Sequence, residues 1–288
     1  MARFPTRVLL ATDGSEDAAL AARTAVDLTD KSGSELHLVH AWTNVPSPHF
    51  EGYIRAGLEE EGRRVLDEEA RRIEAAGADL AGAHLGEGRT QEVIVDLAEE
   101  IGADLIVVGS RGMGTIGSFI TGSVSEGVVH LASCPVLVMR DTEKGAWPPK
   151  KIVVGDDGSE EAKRTAQIGA RIGEPYGAEA VLLRARPPLT MTGAGSAANP
   201  HVVEDVLRED EQDLEQRAAE LEEALGRRAR VKVVVADPAG AIRQEADEDD
   251  EPALVAVGRR GMGGVKRLVL GSVSSKTLRT VSGPVLVV

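Results

Sequence analysis

GSRGMGTIGSFITGS occupies residues 109–123, and GRRGMGGVKRLVLGS occupies residues 258–272. Both read Gly-x2-Gly-x9-Gly-Ser, so Gly109, Gly112, Gly122 and Ser123 correspond to Gly258, Gly261, Gly271 and Ser272. Upstream of each copy stands a short apolar run, ADLIVVG or ALVAVG. Downstream stands a helix-length segment, GSVSEGVVHLAS or GSVSSKTLRTVS. The motif therefore begins where a buried strand ends and closes where a helix starts. That is the carboxyl edge of an open α/β sheet, where such sheets bind ligands. Glycines can take positive φ and let backbone N–H groups approach an anion closely. Gly-Ser at a helix N-terminus adds unpaired amides and a hydroxyl, a ready phosphate site. Arg111 and Arg260, between the first two glycines, add charge against a polyphosphate. A plainer reading stays open: Gly112 and Gly261 as turn residues, and Ser123 as an N-cap in capping-box spacing with Glu126.

Working outward, the whole chain is written twice. RVLLATDGSEDA (7–18) aligns without a gap on KIVVGDDGSEEA (151–162), pairing Asp13 with Asp157, and SCPVLVM matches SGPVLVV. Asp13 and Gly109 are 96 residues apart, Asp157 and Gly258 101, so the extra length lies in mid-repeat. These boundaries give domains at 1–140 and 151–288, joined by a polar, proline-ended linker at 141–150. In each repeat five Val/Leu/Ile-rich runs alternate with amphipathic segments, as expected for parallel strands buried on both faces. In 202–225, Leu214, Ala218, Leu221 and Leu225 recur at helical spacing. Ser15 and Ser159 precede acidic first turns and read as N-caps. The predicted fold is α/β: two tandem doubly wound domains, each a five-stranded parallel sheet flanked by helices. Residues 43–58 and 186–201 show no period and read as connectors or mobile lids on the ligand side.

Bulk composition narrows the function. The 288 residues carry 33 Lys and Arg against 47 Asp and Glu, a formal net charge of −14, and only 2% are aromatic. That balance opposes non-specific binding to nucleic acid or anionic membranes, and leaves little for base stacking. The single cysteine, Cys134, cannot form an internal disulfide and fits a reducing compartment; it precedes Pro135 and reads as a buried small residue. The opening MARFPTRVLLATDGSE turns polar after one short apolar run, so we expect no secretory leader, no membrane span and a cytoplasmic protein.

The Asp-Gly-Ser turn after the first strand, the long glycine motif and the closing Pro-Val-Leu-Val together resemble the universal stress protein family, over nearly the whole chain as a tandem pair. The resemblance implies ATP binding in both halves, with Mg²⁺ as a companion of ATP and no protein-held metal. Asp13 and Asp157 match the acid that contacts the nucleotide, with Ala11, Thr12, Gly155 and Asp156 beside them. Ala41 and Ala185 match the backbone position recognising adenine. Gly109, Gly112, Gly122, Ser123, Val124 and Ser125, and likewise Gly258, Gly261, Gly271, Ser272, Val273 and Ser274, match the ribose and phosphate contacts. The family also implies pairing of the halves through their last strands as an intramolecular pseudo-dimer, and association of two chains as a homodimer.

Three functions compete: a regulatory protein responding to ATP occupancy through an unknown signalling partner, a slow ATP hydrolase, and an interaction protein with vestigial sites. No catalytic residue recurs in both halves. His37, His40 and His130 become Val181, Arg184 and Arg279, and no Gly-Lys-Ser occurs in either motif. The first reading is favoured. Asp156 replaces Thr12, placing two acids beside the second polyphosphate, where they either disfavour it or help hold its metal ion; the hypothesis is that the second site binds more weakly. DEDDE (247–251) opposes a helix dipole, and that helix is expected to end early.

Overall fold

The computed structural model describes residues 4–43, 51–112, 122–140, 147–188, 200–249, 251–261 and 270–288. The chain divides into two compact units, Met1–Asp141 and Thr142–Val288.

In the first unit the strands are β1 (Arg7–Ala11), β2 (Glu35–Trp42), β3 (Leu80–Glu87), β4 (Leu105–Gly109) and β5 (Val136–Met139). They lie in the order β3-β2-β1-β4-β5, all parallel. The helices are α1 (Glu16–Ser32), α2 (Glu51–Ala75), α3 (Thr90–Ile101) and α4 (Ser123–Leu131). Helices α1 and α2 pack on one face of the sheet; α3, paired with α4, packs against β2 and β3. Strands β1, β4 and β5 are buried almost throughout, which explains their unbroken apolar runs. β3 is more exposed because it borders the sheet. α1 seats closely because its inner face is Ala18, Ala21, Ala22 and Ala25, all buried. Its N-terminus is capped as read: Ser15 Oγ accepts from Ala18 N–H at 3.2 Å.

The second unit repeats the plan. β6 (Lys151–Gly155), β7 (Glu179–Arg186), β8 (Arg230–Val235), β9 (Ala253–Val257) and β10 (Val285–Val287) lie in the parallel order β8-β7-β6-β9-β10. Its helices are α5 (Glu160–Gly173), α6 (Pro200–Leu225), α7 (Pro238–Asp247) and α8 (Ser272–Thr280). Leu214, Ala218 and Leu221 form the buried stripe of α6. Ser159 caps α5 through Ala162 N–H at 3.1 Å. Among the described residues no helix is long and apolar enough to cross a membrane.

Several sequence expectations need correction. Residues 51–58 are not a loop: they begin α2. Arg55, Ala56 and Gly57 are exposed there and give no apolar signal of the helix. Likewise Arg186 closes β7, while Pro200 and His201 open α6; 44–50 and 189–199 fall outside the described residues. Cys134 is only partly buried. α7 does end at Asp247, but the acids beyond it are matched: Glu248 by Lys232 at 3.2 Å and Asp249 by Lys151 at 2.9 Å.

Candidate functional site

In each unit the strand order reverses direction beside the first strand, which leaves a crevice at its carboxyl end. In the first unit that crevice is a cleft of about 380 Å³. Its counterpart in the second measures about 620 Å³. The first is lined by every residue singled out from Ala11 to Ser125, and the second by every one from Gly155 to Ser274. Sequence reasoning missed the apolar walls. Val39 and Ile94 contribute in the first unit, and Leu183 and Ile242 in the second. Ile94 and Ile242 come from α3 and α7, whose amphipathic faces gave no sign of which end met the cleft.

The base of the cleft is set by unequal strand lengths. β1 ends at Ala11, and Thr12 N–H donates to the Val39 carbonyl at 2.9 Å; Gly88 N–H donates to that of Trp42 at 2.9 Å on the other side. Main-chain groups of alternate strand residues point to opposite sides. Ala41 therefore turns its N–H and C=O toward the side that β1 has vacated. In the second unit Asp156 N–H donates to Leu183 C=O at 2.9 Å and Ala236 N–H to Arg186 C=O at 3.0 Å. Ala185 is left in the same position. One donor and one acceptor on a rigid edge suit a flat heterocycle.

At the far side stands an uncapped helix. The N-cap of α4 is Gly122 and that of α8 is Gly271, and neither end has a side-chain cap. Ser123 is thus the first helical residue and exposed, so the capping box with Glu126 does not form. Gly122 N–H instead donates to Ser110 C=O at 2.7 Å, and Gly271 N–H to Arg259 C=O at 2.8 Å. The next amides, those of the first turn, open on the cleft and carry the positive end of the helix dipole. The hydroxyls of Ser125 and Ser274 close the motif: Ser125 Oγ donates to Ser110 C=O at 3.0 Å and Ser274 Oγ to Gly258 C=O at 2.6 Å.

The glycines work differently from the sequence reading. None of Gly109, Gly112, Gly122, Gly258, Gly261 or Gly271 has positive φ; that conformation belongs to Gly14 (φ 79°) and Gly158 (φ 93°) in the Asp-Gly-Ser turns. Gly112 and Gly261 permit close approach: a Cβ at either would overlap a carboxylate oxygen of Asp13 or Asp157 and push that side chain aside. Gly109 is a packing glycine: a Cβ there would lie 2.7 Å from the Asp17 main-chain carbon and 2.9 Å from Ala18 N, in the backbone of α1.

Charge is distributed differently too. Arg111 lines the cleft but is also paired with a carboxylate. Its Nε and Nη2 donate to Asp17 at 3.1 and 3.3 Å, and this hydrogen-bonded carboxylate raises its pKa. Asp17 also accepts from Ser110 Oγ at 2.7 Å and Arg111 N–H at 3.1 Å, tying the motif to α1. In the second unit Glu161 accepts Arg260 N–H at 3.0 Å, while Arg260 Nε, although buried, has no hydrogen-bond partner. Asp17 and Glu161 occupy one position of the aligned openings, a signal that was there to be read.

Asp156 requires the largest correction. Its carboxylate is fully buried and lies 2.6 Å from Arg184 Nη2 and 3.1 Å from Arg217 Nη1. It also accepts Gly158 N–H at 2.8 Å. Arg184 further meets Asp210 at 3.1 Å and Asp213 at 2.6 Å. Burial opposes the Arg184 charge, yet these carboxylates hold its pKa above the ordinary arginine value. A carboxylate so compensated is no extra repulsive charge toward a polyphosphate, which removes the ground for expecting a weaker second site. Arg184 stands where the first unit has His40, which is buried with Nδ1 2.8 Å from Thr12 C=O. The change from Thr-His to Asp-Arg is one paired substitution.

Comparison with known proteins places these observations. The universal stress protein family model matches residues 5–140 and again 148–288. A universal stress protein of Thermus aquaticus is 38% identical over 133 residues, 46% of this chain and 97% of its own. Universal stress protein Rv2623 of Mycobacterium tuberculosis is 28% identical over 296 residues, covering 97% of this chain and 95% of its own. The crystal structure of a universal stress protein from Archaeoglobus fulgidus shares the fold, with TM-score 0.69 and 24% identity over 98% of this chain and 95% of that one. With both halves matched and both clefts built alike, the chain belongs to the universal stress protein family, as a tandem pair of its domains.

Proposed function

We propose that each unit binds one adenine nucleotide, ATP with its Mg²⁺, and that the protein is a stress-response regulator whose partner binding or conformation depends on occupancy. One observation carries this reading. Each cleft joins, within one cavity, a strand-edge N–H and C=O that no neighbouring strand among the described residues takes, a carboxylate held beside a motif glycine, and a helix N-terminus without a side-chain cap from its N-cap residue. Ala41 and Ala185 then read the adenine edge through their main chains. Asp13 and Asp157 contact the sugar side, and the first-turn amides of α4 and α8 neutralise phosphate. Mg²⁺ enters with the triphosphate, screening the charge that faces Asp13 or Asp157.

The test is to denature freshly purified protein and identify released nucleotide by mass, beside Gly122→Glu/Gly271→Glu, which puts bulk and negative charge against both helix ends. The expected result is adenine nucleotide close to one per unit in the native protein and none in the variant. No nucleotide, and no uptake of added ATP and Mg²⁺, refutes the reading; ADP alone in the native protein points instead to hydrolysis.

A further inference from the structure

The Asp-Gly-Ser turns of the two units have equivalent sequences but different supports. In the first unit Gly14 N–H donates to the neutral Thr12 Oγ1 at 3.2 Å, and a Cβ added at Gly14 would meet Val65 Cγ1 at 3.5 Å. In the second, Arg217 of α6 reaches the turn with its whole guanidinium. Nη2 donates to Gly158 C=O at 2.6 Å, and Nη1 donates to Ser159 C=O and to Asp156 Oδ2, both at 3.1 Å. Asp156 Oδ1 in turn takes Gly158 N–H. The turn is thus held by its carbonyls and by its amide at once, through ionised groups, whose hydrogen bonds are roughly twice as strong as neutral ones. Arg217 is oriented from its own helix by Asp213, 3.4 Å from Nε, and only 11% of its side chain is exposed. A planar fork suits this: two separate nitrogens in a fixed plane divide the two carbonyls and the carboxylate between them, an arrangement the single nitrogen of an ammonium reproduces poorly.

We propose that Arg217 is the positioning residue of the second nucleotide site. It holds residues 156–159 so that Asp157, the next side chain along, faces the cleft beside Gly261 without reorganising when ligand enters. The inference rests on the nucleotide reading above and adds that affinity at the second site depends on how α6 is seated. Among the described residues no arginine holds the first turn in this way, and no such dependence is expected there. Ordering a binding loop before the ligand arrives lowers the entropy lost on binding.

The test is ATP–Mg²⁺ titration by calorimetry of the full chain, with one site blocked at a time. In a Gly122→Glu background, which leaves the second site, Arg217→Lys is expected to weaken binding about tenfold. In a Gly271→Glu background, which leaves the first, the same change is expected to do nothing; thermal unfolding of the Gly122→Glu pair, with and without Arg217→Lys, reports whether the second unit still folds. Because Arg217→Lys retains the charge, a through-space electrostatic role predicts unchanged affinity at both sites, and that result overturns the proposal. If the Gly122→Glu parent itself takes up no ATP, the nucleotide reading fails for this unit and the inference falls with it. Should Arg217→Lys not fold, amide exchange in the unmodified protein decides: Gly158 is expected to exchange more slowly than Gly14, and equal or faster exchange overturns the clamp.

Discussion

Replacing Gly109 by alanine puts a methyl group into the backbone of α1. The added Cβ meets the Asp17 main-chain carbon at 2.7 Å and Ala18 N and Asp17 O at 2.9 Å, where ordinary contacts lie beyond 3.4 Å. The obstacle is helix backbone, so relief requires α1 or β4 to move rather than a side chain to rotate. Overpacking of this kind costs about 1–3 kcal/mol. Alanine loses less entropy on folding and returns about 0.4–1 kcal/mol, leaving a net destabilisation of about 0–2.6 kcal/mol, with about 1–2 kcal/mol the expected part of that range because the obstacle is main chain. For a unit of this size that lowers the melting temperature by about 3–6 °C. Gly258 is the same motif position, but its nearest neighbours are Arg260 O at 3.0 Å, Glu161 Cγ at 3.2 Å and Thr165 Oγ1 at 3.4 Å. Two of these are side-chain atoms that can yield, so Gly258→Ala is expected to stay within about 0.5 kcal/mol of the parent. The assay is thermal unfolding of both variants, with peptide-resolved hydrogen exchange to assign the loss to α1 or α5. Equal melting temperatures for the two variants, or faster exchange in α5 than in α1, would refute the assignment of Gly109 to helix packing.

Gly112→Ala and Gly261→Ala displace the Asp13 and Asp157 carboxylates, so each is expected to reduce ATP affinity of its own unit by at least about tenfold, measured by titration calorimetry. Arg184→Met strips a shared cation from Asp156, Asp210 and Asp213 and is expected to destabilise the second unit by about 3 kcal/mol in urea unfolding. Adding Asp156→Thr should recover part of that loss, with a coupling of about 1 kcal/mol, and strict additivity argues against a shared network. His37 is expected to make the first unit acid-sensitive. Burial, then the neighbouring His84 and Arg7 charges, lower its pKa from 6.5. The unfolded chain therefore binds the proton more readily, so stability is full above that value and declines as pH falls below it. His37→Val, the residue found at Val181, should flatten this decline in a melting-temperature series from pH 7.5 to about 5; an unchanged slope refutes the assignment.

The repeat and the parallel α/β architecture could be read from the chain because they rest on local, periodic signals. KIVVG, PVLVM and their partners must be strands buried on two faces, and the duplicated Asp-Gly-Ser turn and glycine motif mark two carboxyl edges of a sheet. Every candidate nucleotide-binding residue lines one of the two clefts because the turn and the glycine motif both sit at strand ends on one edge of the sheet. The start of α2 could not be read, since its exposed Arg55, Ala56 and Gly57 give no apolar signal, whereas α6 begins only two residues before the segment read as helical.

What only the tertiary structure decided is what each polar group faces. In sequence, Asp156 is an acid next to Asp157 and Arg111 a cation next to a phosphate motif. In space each is paired with charges 28 to 94 residues away, Asp156 with Arg184 and Arg217, Arg111 with Asp17. Likewise Gly109 and Gly112 look like two members of one loop, yet one admits a helix and the other a carboxylate. Periodicity reports which face of an element is buried. The sign and strength of a buried charge depend on partners brought together by packing, and that information exists only once α1 and α6 are seated on their sheets.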